Sequence, residues 1–107
     1  MDPTWTDGAT AQVRGVALDS EGLSLVLMRA LRSFASASAE GRAVAPVSVT
    51  LDVTGSIPSS EDWTIRAGLD RRTRTLVFSH AEAFETGAGA EAVPVMAVTG
   101  VYRIEAG

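Results

Sequence analysis

The chain contains no cysteine, no lysine and no asparagine, and it has a single histidine among its 107 residues. Without cysteine there is no disulfide, no thiolate nucleophile and no cysteine-ligated zinc or iron–sulfur site. Without lysine there is no Schiff base and no phosphate-binding loop that depends on a lysine. One histidine is too few for a multi-histidine metal site. We therefore expect no metal and no resident cofactor.

The charge balance is acidic, because nine arginines face thirteen acidic residues and the net charge is −4. A protein that binds duplex nucleic acid normally carries a basic excess, so nucleic acid is not an expected partner. The longest apolar stretch, near Leu23–Met28, is too short to span a bilayer, and the first twelve residues lack the basic and apolar order of a secretory signal. These features predict a cytoplasmic protein with no membrane partner and one domain over residues 1–107.

Residues 20–36 are predicted to form one helix, because apolar side chains recur there at helical spacing. The recurring positions are Leu23, Val26, Leu27, Ala30, Leu31 and Phe34. Leu25 and Met28 widen the apolar stripe, which predicts a helix surrounded by protein on most sides. Asp19 or Ser20 is suited to cap the start of this helix.

After the helix the apolar period changes to two, which predicts strands. A half-buried strand is expected where apolar residues alternate with polar ones at Val47, Val49, Leu51 and Val53. Further strands are expected from Trp63, over Thr75–Phe84 and over Val93–Ile104, with loops at Gly55–Asp62 and Gly87–Ala92 and a short strand within residues 10–18. Short connections favour antiparallel pairing, and one helix and one sheet must bury their faces against each other. The predicted fold class is α+β, with an antiparallel sheet of about five strands wrapped around one central helix.

This order of elements resembles the hot-dog fold of the acyl-CoA thioesterase superfamily, in particular PaaI-like and 4-hydroxybenzoyl-CoA thioesterase-like proteins. The resemblance covers about residues 22–104 and is carried by Ala45–Pro58, Leu69–Phe84 and Val95–Ile104. It implies a protein that binds an acyl-CoA and hydrolyses its thioester. It also implies a homodimer or homotetramer, paired through strand edges, with ligand sites at the subunit interface.

The start of the predicted helix is the candidate catalytic position. Thioester hydrolysis needs N–H donors that hold the carbonyl and a carboxylate that activates water. The backbone N–H groups of Gly22 and Leu23 are candidates for the donors, and Asp19 or Glu21 for the carboxylate. The structural alternative is an ordinary helix cap, with acidic residues near the positive end of the helix dipole.

The resemblance is incomplete at this position. Many of the thioesterases that the chain resembles open the helix with His-Gly-Gly, where this chain has Ser20, Glu21 and Gly22. The acid that they often carry two turns later falls near Arg29. The second hypothesis is therefore a catalytically inactive hot-dog module for binding or assembly, and the third is an unrelated curved-sheet fold. If the protein is an enzyme, the partner subunit could supply the missing acid from Glu61, Asp62 or Glu82.

Four arginines are candidates for binding the substrate. Arg71, Arg72 and Arg74 form a basic turn, which in the family that the chain resembles often lies near the CoA phosphates. The guanidinium fork suits phosphate, although a solvated hairpin turn is the alternative. Arg29 lies among apolar helix residues and predicts either a contact with an anionic ligand or a structural ion pair. His80 is expected to have a structural role or to lie in an interface.

Overall fold

The computed structural model describes residues 3–54, 56–87 and 93–105, so the predicted loop beyond Gly87 lies outside the described residues. In chain order the elements are β1 (Thr4–Trp5), β2 (Thr10–Val13), α1 (Ser20–Ser38), β3 (Val44–Val53), β4 (Trp63–Arg72), β5 (Leu76–Glu85) and β6 (Met96–Ile104). The strands form one antiparallel sheet in the order β1-β2-β4-β5-β6-β3. The predicted class, an antiparallel sheet with one helix, is confirmed over the described residues, and the two-residue β1 brings the sheet to six strands.

Helix α1 begins and ends where its sequence provides hydrogen-bond partners. The Asp19 carboxylate accepts the Gly22 N–H at 2.8 Å, as an N-cap does. After the last turn, Gly41 adopts φ +79° and donates its N–H to the Ser36 carbonyl at 2.8 Å. Glycine adopts this left-handed conformation without a Cβ penalty. Among the described residues, no helix combines the length and apolar character needed to cross a membrane.

One side of α1 packs on the inner faces of β4, β5 and β6. The helix side chains on this side are fully or almost fully buried, and they meet alternate buried residues of the strands. The core contains, among others, Leu23, Leu27, Leu31, Trp63, Ile65, Val77, Met96 and Val98. Each fully buried leucine, isoleucine or valine contributes about 1.5–3 kcal/mol to the hydrophobic stabilisation, so this contact is the main source of stability.

The prediction that β3 is half-buried is wrong. Val47 is 59% exposed and Val53 is 53% exposed, and most of the strand faces solvent on both sides. The reason is its place in the sheet, because β3 is the edge strand and pairs only with β6 over the described residues. Alternation in the sequence marks a strand with one apolar face, but it does not show whether another element of the same chain covers that face.

The prediction that α1 is surrounded by protein is also wrong within this chain. Leu25 is 53% exposed and Met28 is 38% exposed, and Arg29 is exposed rather than buried. The sheet covers only one side of the helix. Two residues of β3, Leu51 and Val53, pair with the inward-facing Val98 and Met96, so they lie on the helix side of the sheet. We call Leu25, Met28, Leu51 and Val53 the exposed apolar surface.

We predict that Gly100→Ala destabilises the protein by about 1–3 kcal/mol, because a buried Cβ would overpack the contact between α1 and β6. An added Cβ would lie 2.7 Å from Tyr102 Cε2 and 2.9 Å from Leu31 Cδ2. The control is Gly8→Ala, where a Cβ would meet no atom within 4 Å. Urea unfolding measures both variants, and equal free energies of unfolding for the two would contradict the packing described here.

Candidate functional site

A cleft of about 620 Å³ lies at the start of α1. Residues 17–20 form one wall, and residues 57–60 of the loop after β3 form the other. Beyond Ser59 and Ser60 the cleft continues into a second depression of about 540 Å³, which Glu61, Asp62 and Thr86 line. The predicted catalytic position is therefore an open concave surface rich in hydroxyl and carboxylate groups.

Hydrogen bonds between two loops hold the walls of this cleft in place. The Asp62 carboxylate accepts the Gly15 N–H at 3.0 Å, and the Glu61 carbonyl accepts the Val16 N–H at 3.0 Å. The Thr86 N–H donates to the Asp62 carbonyl at 3.0 Å, which joins the loop to the end of β5. The segment before α1 and the segment before β4 are thus fixed relative to each other.

Both N–H groups that the sequence predicts as carbonyl donors already have acceptors. The Gly22 N–H donates to the Asp19 carboxylate, and the Leu23 N–H donates to the Asp19 carbonyl at 2.9 Å. The Leu23 side chain is fully buried, so the structure places this residue in the core rather than on the cleft wall. A substrate carbonyl could accept from Gly22 only in place of Asp19. The Ser20 and Glu21 N–H groups belong to the first turn, which has no acceptors within the helix.

The acidic residues near the cleft differ in whether their carboxylates accept a hydrogen bond within the chain. Asp19 caps the helix and Asp62 holds Gly15, so each carboxylate has a structural hydrogen bond. Glu21 lies exposed on the first turn of α1. Glu61 was expected only as an acid supplied by a partner subunit, whereas in the structure it lines the depression that continues this chain's own cleft. The sequence signal for this wall of the cleft was the run of serine and acidic residues at positions 59–62, just before β4.

The structure does not bring the predicted basic turn to the cleft. Arg72 Nη1 lies 3.1 Å from Glu40 Oε1, just beyond the C-terminal end of α1. The cleft lies at the other end of this 19-residue helix, roughly 28 Å away at 1.5 Å per residue. Arg71 points to the other face of the sheet, where its guanidinium lies 5.9 Å from the centre of the Phe78 ring. Arg74 is exposed in the turn between β4 and β5.

Consecutive residues of a strand point to opposite faces, which separates Arg71 from Arg72, and irregular pairing decides which of the two lies on the side of α1. The register of β4 on β5 shifts between Leu69 and Arg71, so the alternation of faces predicted from the sequence changes at this point. The residues after the shift were predicted as a turn, but β4 continues to Arg72. A bulge of this kind re-aims side chains locally.

His80 lies on the face of the sheet opposite α1. Its Nδ1 is 2.7 Å from Asp70 Oδ1, and its ring covers Gly68, where an added Cβ would lie 2.6 Å from the ring. Both side chains of the pair are nearly half exposed. His80 is therefore separated by the sheet from the helix side, and within the described residues no cluster of histidine and acidic side chains could hold a metal ion.

Arg29 lines a third depression, on the exposed side of α1 and nearer the C-terminal end of the helix than the cleft. This groove has a volume of about 510 Å³, and Arg32 and Ser33 line it as well. Of these residues, only Arg29 was a candidate from the sequence. The spacing of Arg29, Arg32, Ser33 and Ser36 was the missed signal, because residues three and four apart share one face of a helix.

Comparison with known proteins identifies the fold. No protein-family model matches the chain, and no curated protein matches it. Among solved structures, a thioesterase family protein from Silicibacter pomeroyi aligns with a TM-score of 0.76 and 19% identity, over 98% of this chain and 84% of that chain. Thioesterase superfamily member 2 of zebra fish aligns with a TM-score of 0.75 and 12% identity, over 96% and 80% of the two chains.

A third solved structure has a ligand. It is a Bacillus halodurans protein determined with CoA, which aligns with a TM-score of 0.71 and 8% identity over 98% of this chain and 74% of that chain. The three likenesses establish that the chain has the hot-dog fold seen in thioesterase-superfamily structures, as the sequence predicted.

We predict that Asp19→Ala lowers the free energy of unfolding by about 0.5–2 kcal/mol, because the helix loses its N-cap. Asp19→Asn is the matched control, since asparagine caps a helix about as well as aspartate does and has no negative charge. Chemical unfolding of both variants tests this assignment. An alanine variant as stable as the wild type would contradict it.

Proposed function

We propose that the protein is thioesterase-like and binds an acyl-CoA, with the thioester at the start of α1. The observation that carries this proposal is the position of the cleft at the start of α1, the helix whose exposed side carries Leu25 and Met28. The CoA in the Bacillus halodurans structure of the same fold supports this class of ligand. The exposed apolar surface offers a place for an acyl chain, and each buried methylene would contribute about 0.8 kcal/mol.

Hydrolysis at this position would use groups of the first helical turn. A carboxylate takes a proton from water as the water oxygen bonds to the carbonyl carbon, and the carbonyl oxygen becomes an oxyanion that accepts a backbone N–H. The carbon–sulfur bond then breaks, the free acid leaves, and the CoA sulfur takes up the proton. We assign the base role to Glu21, because Asp19 is engaged as the cap. The N–H donors would be those of Ser20 or Glu21, or that of Gly22 once Asp19 has moved.

A second candidate function is that of a hot-dog module that binds acyl-CoA without hydrolysing it. Two specific observations favour it. Asp19 already occupies the Gly22 N–H, and Arg29 stands near the place where many of the resembled thioesterases carry an acid. Binding is common to both candidates, and turnover separates them.

We also propose that the protein is a homodimer that pairs through β3. The strand is ten residues long and, within the described residues, has no neighbour on its outer edge. Soluble proteins seldom leave a long apolar edge uncovered. A second copy related by a two-fold axis would pair β3 with β3, run the two helices in opposite directions and cover part of the exposed apolar surface. Further association into a homotetramer would require a second contact surface.

We expect purified protein to bind CoA and to release thiol from at least one member of a panel of acyl-CoAs of different chain length. Glu21→Gln should lower turnover about a hundredfold while leaving affinity unchanged, because it removes the base but keeps the shape. Glu105→Gln, which removes an exposed carboxylate near the end of β6, is the control and should leave turnover unchanged. Binding without thiol release would assign the second candidate function, and no binding of any acyl-CoA would contradict both.

We expect Leu51→Lys to convert the dimer to a monomer in sedimentation equilibrium, because it places a charge on the edge that β3 uses for pairing. Thr99→Lys adds the same charge to an exposed position of β6 on the other face of the sheet and should leave the dimer intact. A wild-type protein that sediments as a monomer at micromolar concentration would contradict the proposed pairing.

A further inference from the structure

A small pocket lies beside the last turns of α1, at the sheet edge formed by β1 and opposite to β3. Its volume is about 240 Å³, which is the share of about eight water molecules in the liquid. Ala37, in its wall, lies about 25 Å further along the helix axis than Ser20 at the cleft. The pocket is therefore separate from the cleft. The described residues that line it are Trp5, Asp7, Gly8, Ser33, Phe34 and Ala37.

Two aromatic rings form the apolar part of this pocket. Trp5 pairs with the buried Ala11, so its side chain lies on the same side of the sheet as α1. The centre of the Trp5 ring is 6.4 Å from that of the Phe34 ring, and the ring planes make an angle of 27°. Both side chains are only partly buried. Aromatic rings attract a cation to their faces through their quadrupole, so they suit a cationic ligand.

The turn between β1 and β2 adds a negative charge to the pocket. Asp7 Oδ1 accepts the N–H of Ala9 at 2.8 Å and the N–H of Thr10 at 2.7 Å. The bond from Ala9, and then the bond from Thr10, lowers the pKa of the Asp7 carboxyl, so the group is ionised at neutral pH. Both bonds end on Oδ1. A carboxylate has about four acceptor positions, so Asp7 retains the capacity to face a bound cation.

The end of α1 favours the same sign of ligand charge. The peptide dipoles give the C-terminal end of a helix a partial negative charge, which stabilises cations within about the last turn. The pocket adjoins this turn at Ala37. The last turn of α1, which the structure describes completely, has no basic residue of its own. A cation in the pocket would therefore complement this helix end.

The arginines nearest to this helix end do not line the pocket. Arg29 and Arg32 line the neighbouring groove, where Arg32 Nη2 donates to the Val44 carbonyl at 3.2 Å. Arg72 Nη1 lies 3.1 Å from Glu40 Oε1, just beyond the end of the helix. Among the described residues that line the pocket, none is basic. The wall of the pocket itself is thus aromatic and acidic.

We infer that this pocket binds a small organic cation with an alkylated ammonium group, which lies against Trp5 and Phe34 with its charge beside Asp7. A quaternary ammonium has no N–H donor that needs a partner, and aromatic rings are its usual contacts. A guanidinium has five donors and a primary ammonium has three, whereas the polar side chains in the described wall are those of Asp7 and Ser33. The inference goes beyond the proposed function, because the pocket shares no described lining residue with the cleft.

The test is an NMR titration with choline, at constant ionic strength, that follows the indole N–H signals of the two tryptophans. Trp5 lines the pocket, and Trp63 is fully buried in the core and serves as the internal control. A Trp5→Phe variant assigns the two signals. We expect choline to shift the Trp5 signal and not the Trp63 signal. The matched probe, 3,3-dimethyl-1-butanol, has the same shape without the charge and should bind at least fivefold more weakly.

Two variants test the charge and the rings separately. Asp7→Asn removes the charge but keeps an oxygen for the Ala9 and Thr10 N–H groups, and it should weaken choline binding at least fivefold. Its control is Glu85→Gln, which removes an equal charge from an exposed position at the end of β5 and should leave binding unchanged. Phe34→Leu keeps apolar bulk but removes a ring, and it should weaken binding severalfold. Thermal melting checks that each variant is folded.

Three results would overturn the inference. The first is a Trp5 signal that does not shift up to about 50 mM choline. The second is equal affinity for choline and its neutral analogue, which would define an apolar pocket instead. The third is a folded Asp7→Asn or Phe34→Leu variant that binds choline as tightly as the wild type. None of these results bears on acyl-CoA binding, so the proposed function is decided by its own experiment.

Discussion

The packing of one side of α1 against β4, β5 and β6 determines the position of every other part of the molecule. It buries Leu23, Leu27 and Leu31 and leaves Leu25 and Met28 on the opposite side of the helix exposed. Because the core occupies one side, the exposed apolar side chains and the groove at Arg29 and Arg32 lie along the other, and the cleft lies at the start of the helix. Substitutions that disturb the core would therefore move all three together.

The sequence predicted the type and order of the main elements, because side-chain periodicity reports which face of an element is apolar. It could not predict how that face is covered. Val47, Leu51 and Val53 alternate as in a half-buried strand, yet β3 lies at the sheet edge and exposes them. In the same way, helical spacing marked Leu25 and Met28 as part of an apolar stripe, but it did not show that they are exposed. Edge position depends on which strands pair, and this is decided by contacts far apart in sequence.

The candidate site was predictable in part. The helix start was identified from its acidic and small residues, and the structure shows a cleft there. A helix cap at Asp19 was one of the alternatives predicted for this position. Only the structure shows that the Asp19 carboxylate accepts the Gly22 N–H. The arginine turn was grouped by adjacency in sequence, but β4 continues to Arg72, so strand alternation sends Arg71 and Arg72 to opposite faces. A register shift after Leu69 decides which of the two arginines faces α1, and the local sequence pattern does not encode such a shift.

The most direct test of the account is an NMR titration of the isotope-labelled protein with a non-hydrolysable acyl-CoA thioether. If the thioester lies at the start of α1 and the ligand continues along its exposed side, the backbone amides of Ser20, Glu21, Leu25 and Met28 shift together, and those of Asp70 and His80 on the opposite face of the sheet do not. Shifts confined to the face that carries His80, or no shifts at saturating ligand, would contradict the central claim that the uncovered side of α1 is the ligand site.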